Sequence, residues 1–307
     1  MGFLLAPIPP EPRRAIKPRI DARPGWRESG PMQDGIPWSS DLLTLARRFG
    51  PRIAITDGSA TITYAALSAR AHGLARRLMA EGFEPGQPVA TFVPNGCDAP
   101  WVSYGLTLAG VAETPCNTGS TDAELGWFAQ LTGFKRIIAP QASCARLAAL
   151  GFDPLPLEDI TPDDSFAPLP PVPSDAWGRI IFTSGTTGNP KGVVHTHRSL
   201  LDRAKAGADF DHLSEAEEVL AYMPPAWIGQ NIFSYAQWLC CGYVVNCPES
   251  AETVTIDLKE IGPTYYFAPP RVFEGMLTSV MIRMEDAGNF KRKLFSYFMD
   301  VAKKVGP

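Results

Sequence analysis

The sequence predicts an α/β protein built of two doubly wound β/α subdomains. Two observations carry the fold class. Short apolar runs such as residues 89–93, 136–139 and 219–222 alternate with stretches of helical length, the pattern of βαβ units that close on a parallel sheet. A chain of 307 residues with 45% hydrophobic and 20% charged residues has the length for two subdomains and the composition of a globular protein.

Residues 1–37 are rich in Pro and Arg and read as an extended arm. The first subdomain is expected over 38–153. Leu42, Leu43, Leu45, Ala46 and Phe49 fall at helical spacing, with Ser40-Asp41 as the expected cap. Residues 54–56 and 61–63 flank Asp57-Gly58, a hairpin signal. A helix over 64–81 is closed by Gly82. A buried strand at 89–93, a helix over 99–109, a strand leading to Pro115, a helix over 122–131 and a strand at 136–139 follow. The Pro-rich residues 154–173 read as a linker. The second subdomain, 174–307, begins with a strand through Ile180 and Ile181. It continues with a helix over 198–208, a strand at 219–222, a helix over 232–239, a strand at 243–246, a helix over 254–261, a strand at 265–268 and two closing helices.

Net charge is −4, so the chain presents no general polyanion-binding surface, and nucleic acid is not expected as a partner. The six cysteines lack Cys-x-x-Cys spacing, which fits a reducing cytoplasm. Cys240 and Cys241, in an apolar run, read as buried packing residues. His195 and His197 form a His-x-His pair without a third ligand, and Thr196 is the expected cap of a helix opening at His197-Arg198. No run is long enough to span a bilayer, and peripheral membrane contact stays open.

The chemistry concentrates in residues 183–192, Thr-Ser-Gly-Thr-Thr-Gly-Asn-Pro-Lys-Gly. Gly185 and Gly188 let the backbone turn its N–H groups toward an anion, and the hydroxyls of Thr183, Ser184, Thr186 and Thr187 add donors. Pro190 stiffens the exit and Lys191 adds positive charge. Each hydrogen bond to a charged group contributes about 1.5–3 kcal/mol, enough for a few to hold a polyphosphate. The spacing is not that of a Walker loop, since Lys191 follows proline and precedes Gly192.

This segment resembles the phosphate loop of the adenylate-forming (AMP-binding) superfamily, which includes the acyl-CoA synthetases. Agreement continues through residues 193–198, upstream at 62–67 and 86–95, and downstream at 223–230. Residues 261–274 with 290–295 are most similar to the long-chain fatty acid–CoA ligase branch. The resemblance implies ATP-dependent activation of a carboxylic acid, long-chain fatty by branch, to an acyl-adenylate and then acyl-CoA, with ATP, Mg2+ and CoA taking part. It implies that Thr183, Ser184, Gly185, Thr186, Thr187, Gly188 and Lys191 hold ATP, with Lys191 and Thr187 in catalytic roles and Thr186 at magnesium. Trp227, Ile228, Gly229 and Gln230 would line the acid's site, Gly229 giving a bound chain room and Gln230 and Asn231 presenting amides. The family's adenine-stacking, ribose-binding and catalytic-lysine segments do not occur before Pro307. This chain therefore resembles the N-terminal part of such a ligase. An aryl-CoA ligase, a carrier-protein-loading domain and a non-catalytic nucleotide-binding fragment are the alternatives.

Overall fold

A computed structural model describes residues 35–183 and 190–305. A short strand β1 (Gly35–Ile36) leads into α1 (Trp38–Phe49), then β2 (Ile53–Thr56), β3 (Thr61–Thr63) and α2 (Tyr64–Ala80). Four parallel strands with intervening helices follow: β4 (Pro88–Thr91), α3 (Asp98–Ala109), β5 (Ala112–Pro115), α4 (Asp122–Thr132), β6 (Arg136–Ala139), α5 (Gln141–Ala149) and β7 (Asp153–Pro156). Next come β8 (Val172–Pro173), the hairpin β9 (Trp177–Thr183) and β10 (Lys191–Thr196), α6 (His197–Phe210) and β11 (Glu218–Leu220). A π-helical turn at Gln230–Ala236 runs into α7 (Gln237–Cys241). The described chain closes with β12 (Val244–Asn246), α8 (Val254–Ile261), α9 (Pro270–Glu285) and α10 (Asn289–Val305).

Two larger sheets organise these elements. One has six strands in the order β10-β9-β5-β4-β6-β7, parallel except for the β9–β10 edge. The other has four, in the order β11-β12-β2-β3. Each sheet takes strands from both sides of residues 154–173, so sheet membership does not follow a division at that segment. The reason is pairing: Ile55 on β2 lies beside Val245 on β12, and Glu113 on β5 beside Arg179 on β9. Residues 154–173 are also tied down. The Asp163 N–H bonds to the Ala69 carbonyl at 2.8 Å, Arg76 pairs with Asp163, and the Leu169 N–H donates to Ser39 Oγ at 2.8 Å.

The six-stranded sheet is covered on both faces, as strand alternation requires. Val89 and Ile138 belong to a core shared with α2 and α3 and reaching Ile55 and Val245 of the other sheet. Their neighbours Ala90, Ile137 and Ala139 point into a second core with Leu125, Phe128 and Leu147. Helix α3 is buried from Ala99 to Ala109. It approaches α2 so closely at Gly105 that a Cβ there would lie 2.7 Å from Leu74 Cδ2.

Several expectations hold. Asp57-Gly58 turns a hairpin, with Gly58 at φ 80° and Asp57 Oδ1 accepting from the Ala60 N–H at 2.9 Å. Thr196 caps α6 by accepting from the Ser199 N–H, and Gly82 follows α2 at φ 83°. Others are corrected. Helix α1 begins at Trp38, so Ser40 and Asp41 lie within its first turn; Asp41 N–H bonds to the Pro37 carbonyl. Residues 265–268 form no strand: Tyr265 makes a single bridge to Val219, and the chain then meets Pro269-Pro270. Residues 232–239 are π-helical before they are α-helical. Cys240 is exposed, because α7 ends one residue later and Gly242 turns away in the left-handed region. Helix α5 and strand β7 were not anticipated.

Candidate functional site

Strand β9 carries the site. Its buried segment, Gly178 to Ile181, emerges at the exposed Thr183, and β10 returns with Lys191 directly opposite. The two ends of the expected phosphate loop are thus held side by side by a sheet ladder. The Trp127 indole N–H on α4 donates to the Pro190 carbonyl at 2.9 Å and holds the loop's exit. Ser184, Gly185, Thr186, Thr187 and Gly188 lie outside the described residues. Lys191 is exposed, and no carboxylate pairs with it among the described residues.

A cavity of about 490 Å³ opens beside Thr183, at the carboxyl ends of β9 and β11, where α/β sheets place ligands. Phe182, Met223, Trp227, Ile228, Gly229 and Phe267 are among its lining residues. The walls are aromatic and braced. Phe233 stacks on Phe267 with centroids 3.7 Å apart, and Phe182 stacks on Phe128 at 4.0 Å. Trp227 is 52% exposed, forming a rim rather than filling the core. A Cβ on Gly229 would stand 3.2 Å from Met223 Cε and 3.3 Å from Phe267 Cε1, so any side chain there presses two lining residues inward. No acidic or basic side chain lines this cavity among the described residues. A groove of about 610 Å³ lined by Asp41, Arg48, Lys205 and Glu215 shares no lining residue with it and does not reach Thr183.

Thr183, Trp227, Ile228 and Gly229 therefore meet at one cavity. Gln230 and Asn231 do not line it. Gln230 is fully buried, its Nε2 donating to Asn95 at 3.4 Å and its Oε1 accepting from Ser234 at 3.1 Å. Asn231 is 3% exposed, and its amide is committed to protein partners. The π-helical turn explains the sorting. Its wide spacing sends Ile232 and Phe233 to the cavity and Gln230, Asn231 and Ser234 to a polar interior.

That interior was missed from sequence. Arg179 and Glu113, 5% and 3% exposed, pair at 3.1 Å across adjacent strands. Glu113 also accepts from Thr91 Oγ1 at 2.9 Å and Ser103 Oγ at 2.8 Å. Arg179 also donates to the Gly178 carbonyl at 2.8 Å, Thr107 Oγ1 at 3.1 Å and Asn231 Oδ1 at 3.0 Å. A signal existed: a guanidinium inside the apolar run Trp-Gly-Arg-Ile-Ile-Phe of residues 177–182 must find a counter-charge when buried.

Of the His-x-His pair, His195 sits half-buried on β10 and His197 is fully buried at the start of α6, so the two do not form one face. Burial, then the nearby Arg179 charge, holds His197 down to about 4, while its Nε2 faces the Gly110 carbonyl at 3.2 Å. No group of three or more His, Cys, Asp or Glu side chains is placed to hold a metal among the described residues. No helix among them is long and apolar enough to cross a membrane.

A sulfoacetate–CoA ligase of Cupriavidus necator is 30% identical over 189 residues, 57% of this chain and 37% of that protein. A salicyl-AMP ligase / salicyl-S-ArCP synthetase of Mycobacterium tuberculosis is 28% identical over 260 residues, 74% of this chain and 42% of that protein. The chain thus spans well under two thirds of these curated relatives. Among solved structures, VinN superposes with a TM-score of 0.70 at 20% identity, covering 83% of this chain and 66% of that one, a likeness of fold. The profile of the family described as AMP-binding enzyme matches residues 43–300, and the chain belongs to that family.

Proposed function

We propose that this chain is the acid- and phosphate-binding part of an enzyme that activates an apolar carboxylic acid with ATP. The observation that carries this is the junction at Thr183: an uncharged aromatic cavity opens onto the first residue of the phosphate-loop segment. An acid lying with its tail against Phe182, Phe233 and Phe267 brings its carboxylate to that junction. The carboxylate is ionised near neutral pH and needs no general base. Its oxygen attacks the α-phosphorus of ATP, the bond to pyrophosphate breaks, and an acyl-adenylate forms. A thiol sulfur then attacks the acyl carbon and AMP leaves; CoA is the proposed acceptor.

The donor set fits this anion. Thr183 offers a hydroxyl and Lys191 an ammonium at the mouth of the hairpin, and no lining carboxylate opposes them among the described residues. Magnesium, which keeps its waters and binds largely through substrate phosphates, would neutralise charge on the leaving pyrophosphate, with Thr186 as its expected protein contact. Thr187 and Lys191 are assigned to stabilising the same developing charge.

The cavity chemistry narrows the acid. An amino acid's ammonium wants a carboxylate partner, and none lines the cavity among the described residues. A long-chain fatty acid is the first reading. An aryl acid is the second, favoured by the stacked phenylalanines of the wall. The test is acid-dependent exchange of labelled pyrophosphate into ATP by the full-length protein, across straight-chain, aryl and amino acids. Thioester formation is then followed with CoA and with a phosphopantetheinylated carrier protein. Exchange with apolar acids and transfer to CoA is expected. Exchange with amino acids alone, or with none, overturns the reading.

A further inference from the structure

Asn231 occupies an unusual place between the cavity and the strand beneath it. Its Oδ1 accepts from Arg179 Nε at 3.0 Å. Its Nδ2 donates to the Pro225 carbonyl at 2.8 Å and to the Trp227 carbonyl at 2.9 Å. Three of the amide's four hydrogen-bonding capacities are used, on two elements. One is β9, which leads through Ile181 and Phe182 to Thr183. The other is the turn at 224–229, which supplies Ala226, Trp227, Ile228 and Gly229 to the cavity wall.

Pro224 and Pro225 have no N–H to give. Trp227 N–H bonds to Pro224 O at 2.9 Å and Asn231 N–H to Trp227 O at 3.3 Å, and Ile228 and Gly229 already belong to the helical run that follows. Arg179 is itself held on several sides: Glu113 balances its charge, the Gly178 carbonyl accepts from Nη1, and Ser103 and Thr107 accept from Nη2. Such a desolvated pair keeps its geometry because every alternative leaves a buried charge unmatched.

We propose that Asn231 is a positioning residue that sets the width of the apolar cavity by holding the Trp227 turn to Arg179, and thereby decides which apolar acids are accepted. The inference rests on the reading that this cavity takes the acid. It adds that selectivity resides partly in a residue that touches no substrate.

The test compares wild type with Asn231→Asp and Asn231→Ser in the full-length protein. Aspartate keeps an oxygen for Arg179 but turns a second oxygen toward the two carbonyls. Serine removes the bridge while shrinking the side chain, and serves if the aspartate form does not fold. Pyrophosphate exchange is measured for straight-chain acids of graded length and for an aryl acid, with ATP varied separately. A positioning role changes the relative kcat/KM among acids by about tenfold, the scale on which a pocket discriminates single methylenes, with KM for ATP within about twofold. Equal loss for every acid at an equal folded fraction, or no change, overturns the proposal. Binding of a pyrene-labelled long-chain acid, followed by fluorescence, separates the two readings. If wild type exchanges no acid yet binds the probe, the activity assignment fails. Asn231 is then judged by whether the variants shift probe affinity relative to a shorter labelled acid. If wild type neither exchanges nor binds, both fall.

Discussion

Helices α3 and α10 are both rich in apolar residues, and they meet opposite environments. Every residue of α3 from Ala99 to Ala109 is buried, its apolar surface facing α2 on one side and β5 on another. Helix α10 has no buried residue; Phe290, Leu294, Tyr297, Phe298 and Val301 form a one-sided stripe, with Phe290 79% exposed. Helix α9 is the same in kind, with Phe273, Leu277 and Met281 exposed. A helix apolar all round belongs inside a layer, whereas a striped helix needs a partner along one face. Among the described residues, cooperative stability therefore resides in the two sheets and the layer of α2 and α3.

Four experiments sharpen that contrast. The largest effect is expected from Arg179→Met, which strands the Glu113 carboxylate among Thr91 and Ser103. Loss of one partner of a buried pair costs about 3–5 kcal/mol, read from urea unfolding midpoints at constant m-value.

The second is a pH dependence. His197 is neutral in the fold, with its pKa held down to about 4, and titrates near 6.5 when unfolded. The unfolded chain therefore binds more protons between those values. This contribution is complete above about pH 6.5, declines as the pH falls toward about 4 and is flat below, a total of about 3 kcal/mol. Burial lowers His72 as well, so it acts in the same direction. His197→Phe is expected to flatten the stability–pH curve in part. An unchanged slope between pH 4 and 6.5 would remove His197 as its source.

The third is Gly73→Ala. A Cβ there would sit 2.1 Å from the Thr161 carbonyl oxygen, so α2 and the segment clamped to it must separate. Overpacking of this kind costs about 1–3 kcal/mol. The same substitution at Gly275 on α9, where a Cβ meets nothing within 4 Å, is the control and is expected to be neutral or slightly stabilising. The smallest effect belongs to Phe290→Ser, expected to move stability by no more than about 0.5 kcal/mol. A loss comparable with that of Gly73→Ala would mean that α10 shares the core's cooperativity.

Legibility from sequence follows the range of the forces. The Asp57-Gly58 turn, the Thr196 cap and the left-handed Gly82 are local devices, and each is readable from a few neighbouring residues. Helix α5 escaped because Gln-Ala-Ser-Cys-Ala-Arg-Leu-Ala-Ala carries only Cys144 and Leu147 inward, too few to mark a face. The Tyr265 segment misled because an aromatic run with strand propensity has no neighbour able to continue the ladder. Of the site, Trp227, Ile228 and Gly229 were set beside a pocket by resemblance alone, and they do line the cavity. The amides of Gln230 and Asn231 were misassigned because their direction depends on a π-helical turn, and nothing in their spacing signals that geometry. The Glu113–Arg179 pair depends on which strands become neighbours, a decision taken 66 positions apart.

The pairing of Lys191 with Thr183 has a consequence for how the intervening residues meet a ligand. A free loop must draw its two ends together, and the entropy of that closure grows with the logarithm of its length. Here the ladder has already drawn residues 183 and 191 together, and Trp127 steadies one abutment. On the proposed reading, the cost of that closure is met by the ladder and not by the ligand.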